Sequence, residues 1–168
     1  MTHFAHIQQK ITDRKTLAQR IRVWQQSGLN VVFTNGCFDV LHYGHLHYLA
    51  AAAELGDRLV IGLNSADSVR RLKGPTRPIN DEMTRQTTLA ALGFVDAVCP
   101  FEEDTPLELL RTLRPDFLVK GGDYEAEKVV GYELLRELGG EVVILPFVEG
   151  YSTTNLEQIV LQRHGFRD

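Results

Sequence analysis

Five short apolar runs, each followed by a stretch of helical periodicity, leave this chain few folds to choose from. The runs are 30–35, 58–64, 95–100, 116–120 and 141–146, and the helical patterns fall at 44–55, 65–72, 82–92, 106–113, 129–138 and 152–164. Strands separated by helices cannot pair through tight hairpins, so they run parallel, with crossover helices covering the sheet. The pattern predicts an α/β fold: a doubly wound five-stranded parallel sheet with helices on both faces. One more helix is expected ahead of the first run, where Asp13 can cap, Leu17, Ile21 and Trp24 share a stripe, and Gly28 marks the end. A capping box, Thr105-Pro-Leu-Glu108, is expected to open the helix at 106, with proline in its first position. The 168 residues fit one domain, 1–168, with a helical extension at 1–28 and a catalytic core at 30–168. The longest irregular stretch, 73–81, holds two prolines and several charges and reads as an active-site flap.

Composition excludes several classes of function. A net charge of -4 argues against generic affinity for nucleic acid or anionic membrane. No apolar run approaches the roughly 20 residues that span a bilayer, and the first residues lack the pattern of a signal peptide. Neither a membrane nor nucleic acid is therefore an expected partner. The two cysteines, Cys37 and Cys99, fall in different elements and form no CxxC pair, which fits a reduced, cytoplasmic setting.

In open parallel sheets, ligands bind outside the carboxyl ends of the strands. Asn35-Gly36, Asn64-Ser65, Lys120-Gly-Gly-Asp123 and Gly150-Tyr-Ser-Thr-Thr154 all belong to that rim. The segment His42-Tyr-Gly-His45 opens the helix after the first strand and admits three readings: capping or surface histidines, a zinc site with His47, or phosphate handling. There is no HExxH glutamate and no second ligand cluster, and the place just after the first strand favours phosphate. Gly44 lets a ligand approach the backbone. Ser152-Thr153-Thr154 is either a plain N-cap or an anion seat beside free helix N–H groups. Arg70, Arg71, Lys73, Arg77 and Arg85 gather around the irregular stretch, either as a solvated face or, for Lys73 at the base of the flap, as a cation in reach of a triphosphate. Lys120–Asp123 is a turn or a bed for base and ribose. Asp39 either orients His42 and its turn or caps it. No GxxxxGK[ST], GxGxxG or GxSxG segment occurs, which disfavours P-loop ATPases, dinucleotide dehydrogenases and serine hydrolases of the elbow type.

Asn35-Gly-Cys-Phe-Asp-Val-Leu-His-Tyr-Gly-His45 together with Tyr151-Ser-Thr-Thr154 resembles the cytidylyltransferase-like branch of the HxGH nucleotidyltransferases, which are Rossmann-like. Arg71-Leu-Lys-Gly74, Arg77-Pro-Ile-Asn80, Phe101-Glu-Glu-Asp-Thr-Pro106, Val119-Lys-Gly-Gly-Asp-Tyr124 and Ser152-Thr-Thr-Asn155 resemble, within it, the D-glycero-β-D-manno-heptose 1-phosphate adenylyltransferases. The resemblance runs from about Val31 into the C-terminal helix. Many members carry this domain fused to a sugar kinase; no kinase is encoded in these residues, so the chain reads as the stand-alone transferase. Three departures stand out. Phe147-Val-Glu-Gly150 replaces the Arg-Thr-Glu-Gly of glycerol-3-phosphate cytidylyltransferases, Thr84 replaces the usual acidic residue before Arg85, and His47 occupies a place normally apolar.

The resemblance implies transfer of AMP from ATP to a sugar 1-phosphate, giving an ADP-sugar and pyrophosphate. It implies catalytic roles for His42, His45, Lys73, Ser152 and Thr153. It implies nucleotide contacts from Thr34, Asn35, Gly36, Phe38, Asp39, Gly44, Lys120, Gly122, Asp123 and Thr154. The sugar phosphate is expected at Arg77, Asn80, Arg85 and Tyr124. Mg2+ would ride on the triphosphate with no protein metal site, and relatives suggest a homo-oligomer, a dimer or higher. A cytidylyltransferase acting on a polyol or amino-alcohol phosphate, and a nucleotide-sensing module without turnover, remain as alternatives.

Overall fold

The polypeptide, described by a computed structural model over residues 2–123 and 125–165, is organised around strand β1 (Val31–Gly36). It lies at the centre of a sheet ordered β3-β2-β1-β4-β5, with β2 (Arg58–Asn64), β3 (Ala97–Phe101), β4 (Phe117–Gly121) and β5 (Glu141–Leu145). Every pairing is parallel, with Phe33 opposite Val60 on one side and Leu118 on the other. The strand order reverses between β1 and β4, and the crevice this opens at their carboxyl ends is where such sheets bind ligands.

Side-chain alternation along β1 divides the core. Val31 and Phe33 point to one face, where they pack with Leu17, Ile21, Leu109, Leu110 and Leu135. These come from α2 (Arg14–Gln26), α6 (Leu107–Leu113) and α7 (Tyr132–Glu137). Val32 points to the other face and joins Tyr48, Leu49, Ala52, Leu89 and Val95. There the cover is α3 (Tyr43–Ala53) and α5 (Glu82–Ala90). Helices on both faces are the doubly wound arrangement expected from the alternating runs, and the fold is Rossmann-like. Among the described residues, no helix is long and apolar enough to cross a membrane.

Three local expectations need correction. An unforeseen helix, α1 (His3–Lys10), precedes α2; it buries no residue and is tied down through Thr12 N–H to Val98 O at 3.0 Å and Lys10 Nζ to Leu92 O at 3.1 Å. Thr105 forms no cap, because Pro106 itself is the N-cap of α6 and no side chain bonds there. The pattern at 129–138 shortens to α7, which a 3-10 turn (Ala126–Lys128) precedes, because Gly131 adopts φ +100°, where only glycine is relaxed, and starts the helix there. The remaining helices are α4 (Ala66–Lys73) and α8 (Thr153–Arg163).

Candidate active site

The turn after β1 carries the first half of the site. Phe38 takes φ +42°, a left-handed conformation that costs a non-glycine residue about 1–2 kcal/mol. The strain aims its ring back over Gly36 and edge-on to His45 at 5.4 Å. His42 is the N-cap of α3, its Nδ1 accepting the His45 N–H at 3.4 Å. That bond assigns the ring proton to Nε2, leaving one outward donor. The His42 and His45 rings stack with centroids 3.8 Å apart. Burial drives the His45 pKa down to about 4, with neighbouring His42 acting in the same direction and the Val40 backbone opposing. Burial also lowers that of His42. The histidines are thus capping and paired at once, and neutral at physiological pH. His45 Nδ1 is buried without a hydrogen-bond partner.

The second half comes from the start of α8. A Cβ added at Gly44 would lie 3.1 Å from Tyr151 Cβ and 3.2 Å from His42 Cε1, so glycine here permits the chain before α8 to rest on the start of α3. The Tyr43 and Tyr151 rings meet at 4.9 Å. Ser152 Oγ accepts the Asn155 N–H at 3.0 Å, while Thr153 and Thr154 occupy the first turn, whose N–H groups have no intrahelical acceptor. Two helix N-termini, each with partial positive charge, therefore meet beside the imidazoles.

Next to them opens a cleft of about 460 Å³ at the ends of β1 and β4. Asn35, Gly36, Phe38, His45 and Lys120 line it. Lys120 Nζ donates to Asn35 Oδ1, and burial lowers its pKa to about 8, with neighbouring Cys37 opposing. Sequence reasoning missed Tyr48, Thr105, Val130 and Phe147 on the walls. Phe147, a large aromatic left exposed just after the last strand, was the one readable signal.

Several anticipated contacts are redirected. Thr34 is fully buried and its hydroxyl lies 2.6 Å from Tyr48 Oη, which donates to Val119 O; it supports the cleft floor and does not face the cleft. Asp39 neither orients His42 nor reaches the cleft. Its carboxylate accepts the N–H groups of Ile79 and Asn80 and the Arg77 guanidinium at 2.8–2.9 Å. Burial alone would raise its pKa, but those donors outweigh it and hold the carboxyl below the usual range. Arg77 pairs with Asp39 and Glu157, and the Asn80 Nδ2 donates to Asp39 O, so both side chains bind the protein's own groups here. Arg85 is 2% exposed and its Nη1 ties together the carbonyls of Cys37 and Asn64, both at 2.8 Å; its Nε and Nη2 are buried and unpartnered. It braces the ends of β1 and β2 from below. Gly122 N–H continues the sheet by bonding Leu145 O, and Asp123 is exposed. Lys73 ends α4 exposed, outside the cleft lining but close enough that its charge opposes the burial-driven rise of the Cys37 thiol. Tyr124 lies outside the described residues. Arg70 pairs with Asp67 and Arg71 with Asp104, which neutralises the basic cluster.

Fold and motif together define the class: residues 33–159 match the cytidylyltransferase-like family, and the chain belongs to it. More particularly, it is 56% identical over 155 residues to the bifunctional protein HldE of Trichlorobacter lovleyi, an alignment covering 92% of this chain and 32% of that protein. HldE of Syntrophotalea carbinolica is 52% identical over 162 residues, covering 96% of this chain and 33% of its own length. The chain thus spans about a third of the length of these curated relatives. A solved structure, the lipopolysaccharide core biosynthesis protein from Thermoplasma volcanium GSS1, superposes with a TM-score of 0.60 at 31% identity, over 74% of this chain and 100% of that one.

Proposed function

We propose that the chain transfers AMP from ATP to D-glycero-β-D-manno-heptose 1-phosphate, forming ADP-heptose and releasing pyrophosphate. The observation that carries the reading is the contact between the two helix starts, Tyr43–Gly44 between the motif histidines of α3 and Tyr151 just before α8. Family membership and similarity to HldE proteins support the sugar phosphate as acceptor.

A phosphate monoester has its second pKa near about 6, so the attacking oxygen is already ionised at neutral pH and no general base is required. It attacks the α-phosphorus of ATP, the bond from that phosphorus to the β-bridging oxygen breaks, and the electron pair leaves on pyrophosphate. Catalysis then rests on positioning and charge stabilisation. Neutral His42 donates from Nε2, and His45 beside it donates its single ring proton. The N–H groups at Thr153 and Thr154, the Ser152 hydroxyl and the Lys73 ammonium draw off charge as pyrophosphate departs. Val130 and Phe147 offer flat apolar surface for the base beside Asn35 and Lys120.

Mg2+ would be carried on the triphosphate, where it would supply positive charge against the departing pyrophosphate. Asp39, the carboxylate of the motif, has both oxygens committed, so phosphate oxygens are left to hold the ion. A homo-oligomer belongs to the same reading, because α8 leaves Leu156, Ile159, Val160 and Leu161 exposed. So does a cytoplasmic setting, where ATP and free thiols coexist.

Pyrophosphate release measured with four nucleoside triphosphates against heptose 1-phosphate and glycerol 3-phosphate tests the proposal. ATP with the heptose should be preferred, with an ADP-sugar found by mass. Turnover only with CTP and a polyol phosphate would replace this reading with a cytidylyltransferase. Nucleotide binding without pyrophosphate would leave a sensing module.

A further inference from the structure

Arg77 spans two carboxylates on different elements. Its Nη1 lies 2.9 Å from Asp39 Oδ2 and its Nη2 lies 2.6 Å from Glu157 Oε2. Asp39 belongs to the histidine turn, and Glu157 is on α8, one turn beyond Ser152–Thr154. On the Asp39 side the attachment is dense, because Ile79 and Asn80 also donate to that carboxylate and the Asn80 amide returns a bond to Asp39 O. On the α8 side it is sparse. The eleven-residue helix buries no residue, and a helix of that length is marginal in water unless something packs against it. Besides the contact of Tyr151 with α3, the ion pair at Glu157 is the cross-element polar contact recorded for α8 among the described residues.

We infer that Arg77 is a positioning residue: it docks the start of α8 on the histidine turn through Glu157, and ties the 74–81 segment to the same turn through Asp39. The inference rests on the function proposed above only for what the docked helix start holds, namely the polyphosphate. Arg77 is 18% exposed and Asp39 7%, so that half of the bridge is protected from solvent, whereas Glu157, 38% exposed, forms the half that opens. Nucleotide selects the docked helix, and its apparent affinity falls in proportion to the docked fraction. Loss of the Glu157 carboxylate lowers that fraction. A partly exposed ion pair shifts the docking equilibrium by up to about fivefold, so KM for nucleotide rises about twofold while kcat is unchanged, because at saturation the ligand itself holds the helix.

The test is amide hydrogen exchange on the free full-length protein, followed by kinetics, for wild type and Glu157→Gln. The expected result is exchange about threefold faster from Leu156 to Val160 with β1 and β2 unchanged, together with the KM rise. Arg77→Gln should in addition speed exchange at Ile79 and Asn80; should that variant not fold, Glu157→Gln carries the test alone. Unchanged α8 exchange with unchanged KM overturns the inference. A lowered Tm with uniformly faster exchange and normal KM overturns it too, since the pair then serves only stability. If no nucleotide is turned over, its dissociation constant replaces KM, and the exchange result still decides the positioning role apart from the proposed reaction.

Discussion

Holding His45 neutral carries a cost in acid that can be measured. The folded protein keeps the ring unprotonated down to about pH 4, whereas an unfolded histidine takes up a proton near 6.5. Between those values the unfolded chain binds more protons, so stability rises with pH there and is lost as pH falls from 6.5 toward 4. At about 1.4 kcal/mol per pKa unit the full shift would be worth roughly 3 kcal/mol. The ring retains some access to solvent, which reduces the figure to about 2 kcal/mol. Urea unfolding at pH 7.5 and pH 4.5, for wild type and His45→Asn, isolates the contribution. Wild type should lose about 2 kcal/mol more than the variant over that interval. Equal losses in the two proteins would refute the assignment of a buried, neutral His45.

Other substitutions probe separate parts of the structure. Tyr48→Phe removes the hydroxyl shared by Thr34 and Val119 and leaves both buried groups short of a partner; urea unfolding should show a loss of about 1–3 kcal/mol. Gly62→Ala would set a Cβ 2.8 Å from Phe33 Cζ and 3.1 Å from Leu109 Cδ2 in a closed core, for a comparable loss of about 1–3 kcal/mol in the same assay. His45→Ala should keep the fold by circular dichroism while turnover drops about a hundredfold or more, as when one preorganised donor is removed; near-normal turnover would contradict its role.

What the sequence disclosed was whatever depends on local pattern. Val31-Val32-Phe33 and the runs at 58–64 and 116–120 are buried on both faces, so their apolar content alone marked them as central strands. Asp13 and Ser152 cap helices, a role written in residue type and position. The stacked pair at His42 and His45 follows from their spacing across one helical turn. Contacts between distant segments were not legible. Nothing local distinguishes an Arg77 or Asn80 facing a ligand from one bound to Asp39 some forty positions away. Arg85 reads in the sequence as a sugar-phosphate contact, yet two carbonyls hold it in the interior. Thr34 follows the same logic, since the partner that buries its hydroxyl, Tyr48, lies on the next helix. Helix α1 escaped notice because none of its residues is fully buried; Ile7 packs only partway against the core, and the chain after it is tied to β3.

The central claim is that one polyphosphate touches both helix starts. An amide-resolved NMR titration with ATP and magnesium tests it directly. Shifts at His45 and Leu46 and shifts at Thr153–Asn155 should follow a single binding curve with one dissociation constant. Movement of one group alone, or two curves with different constants, would contradict the account.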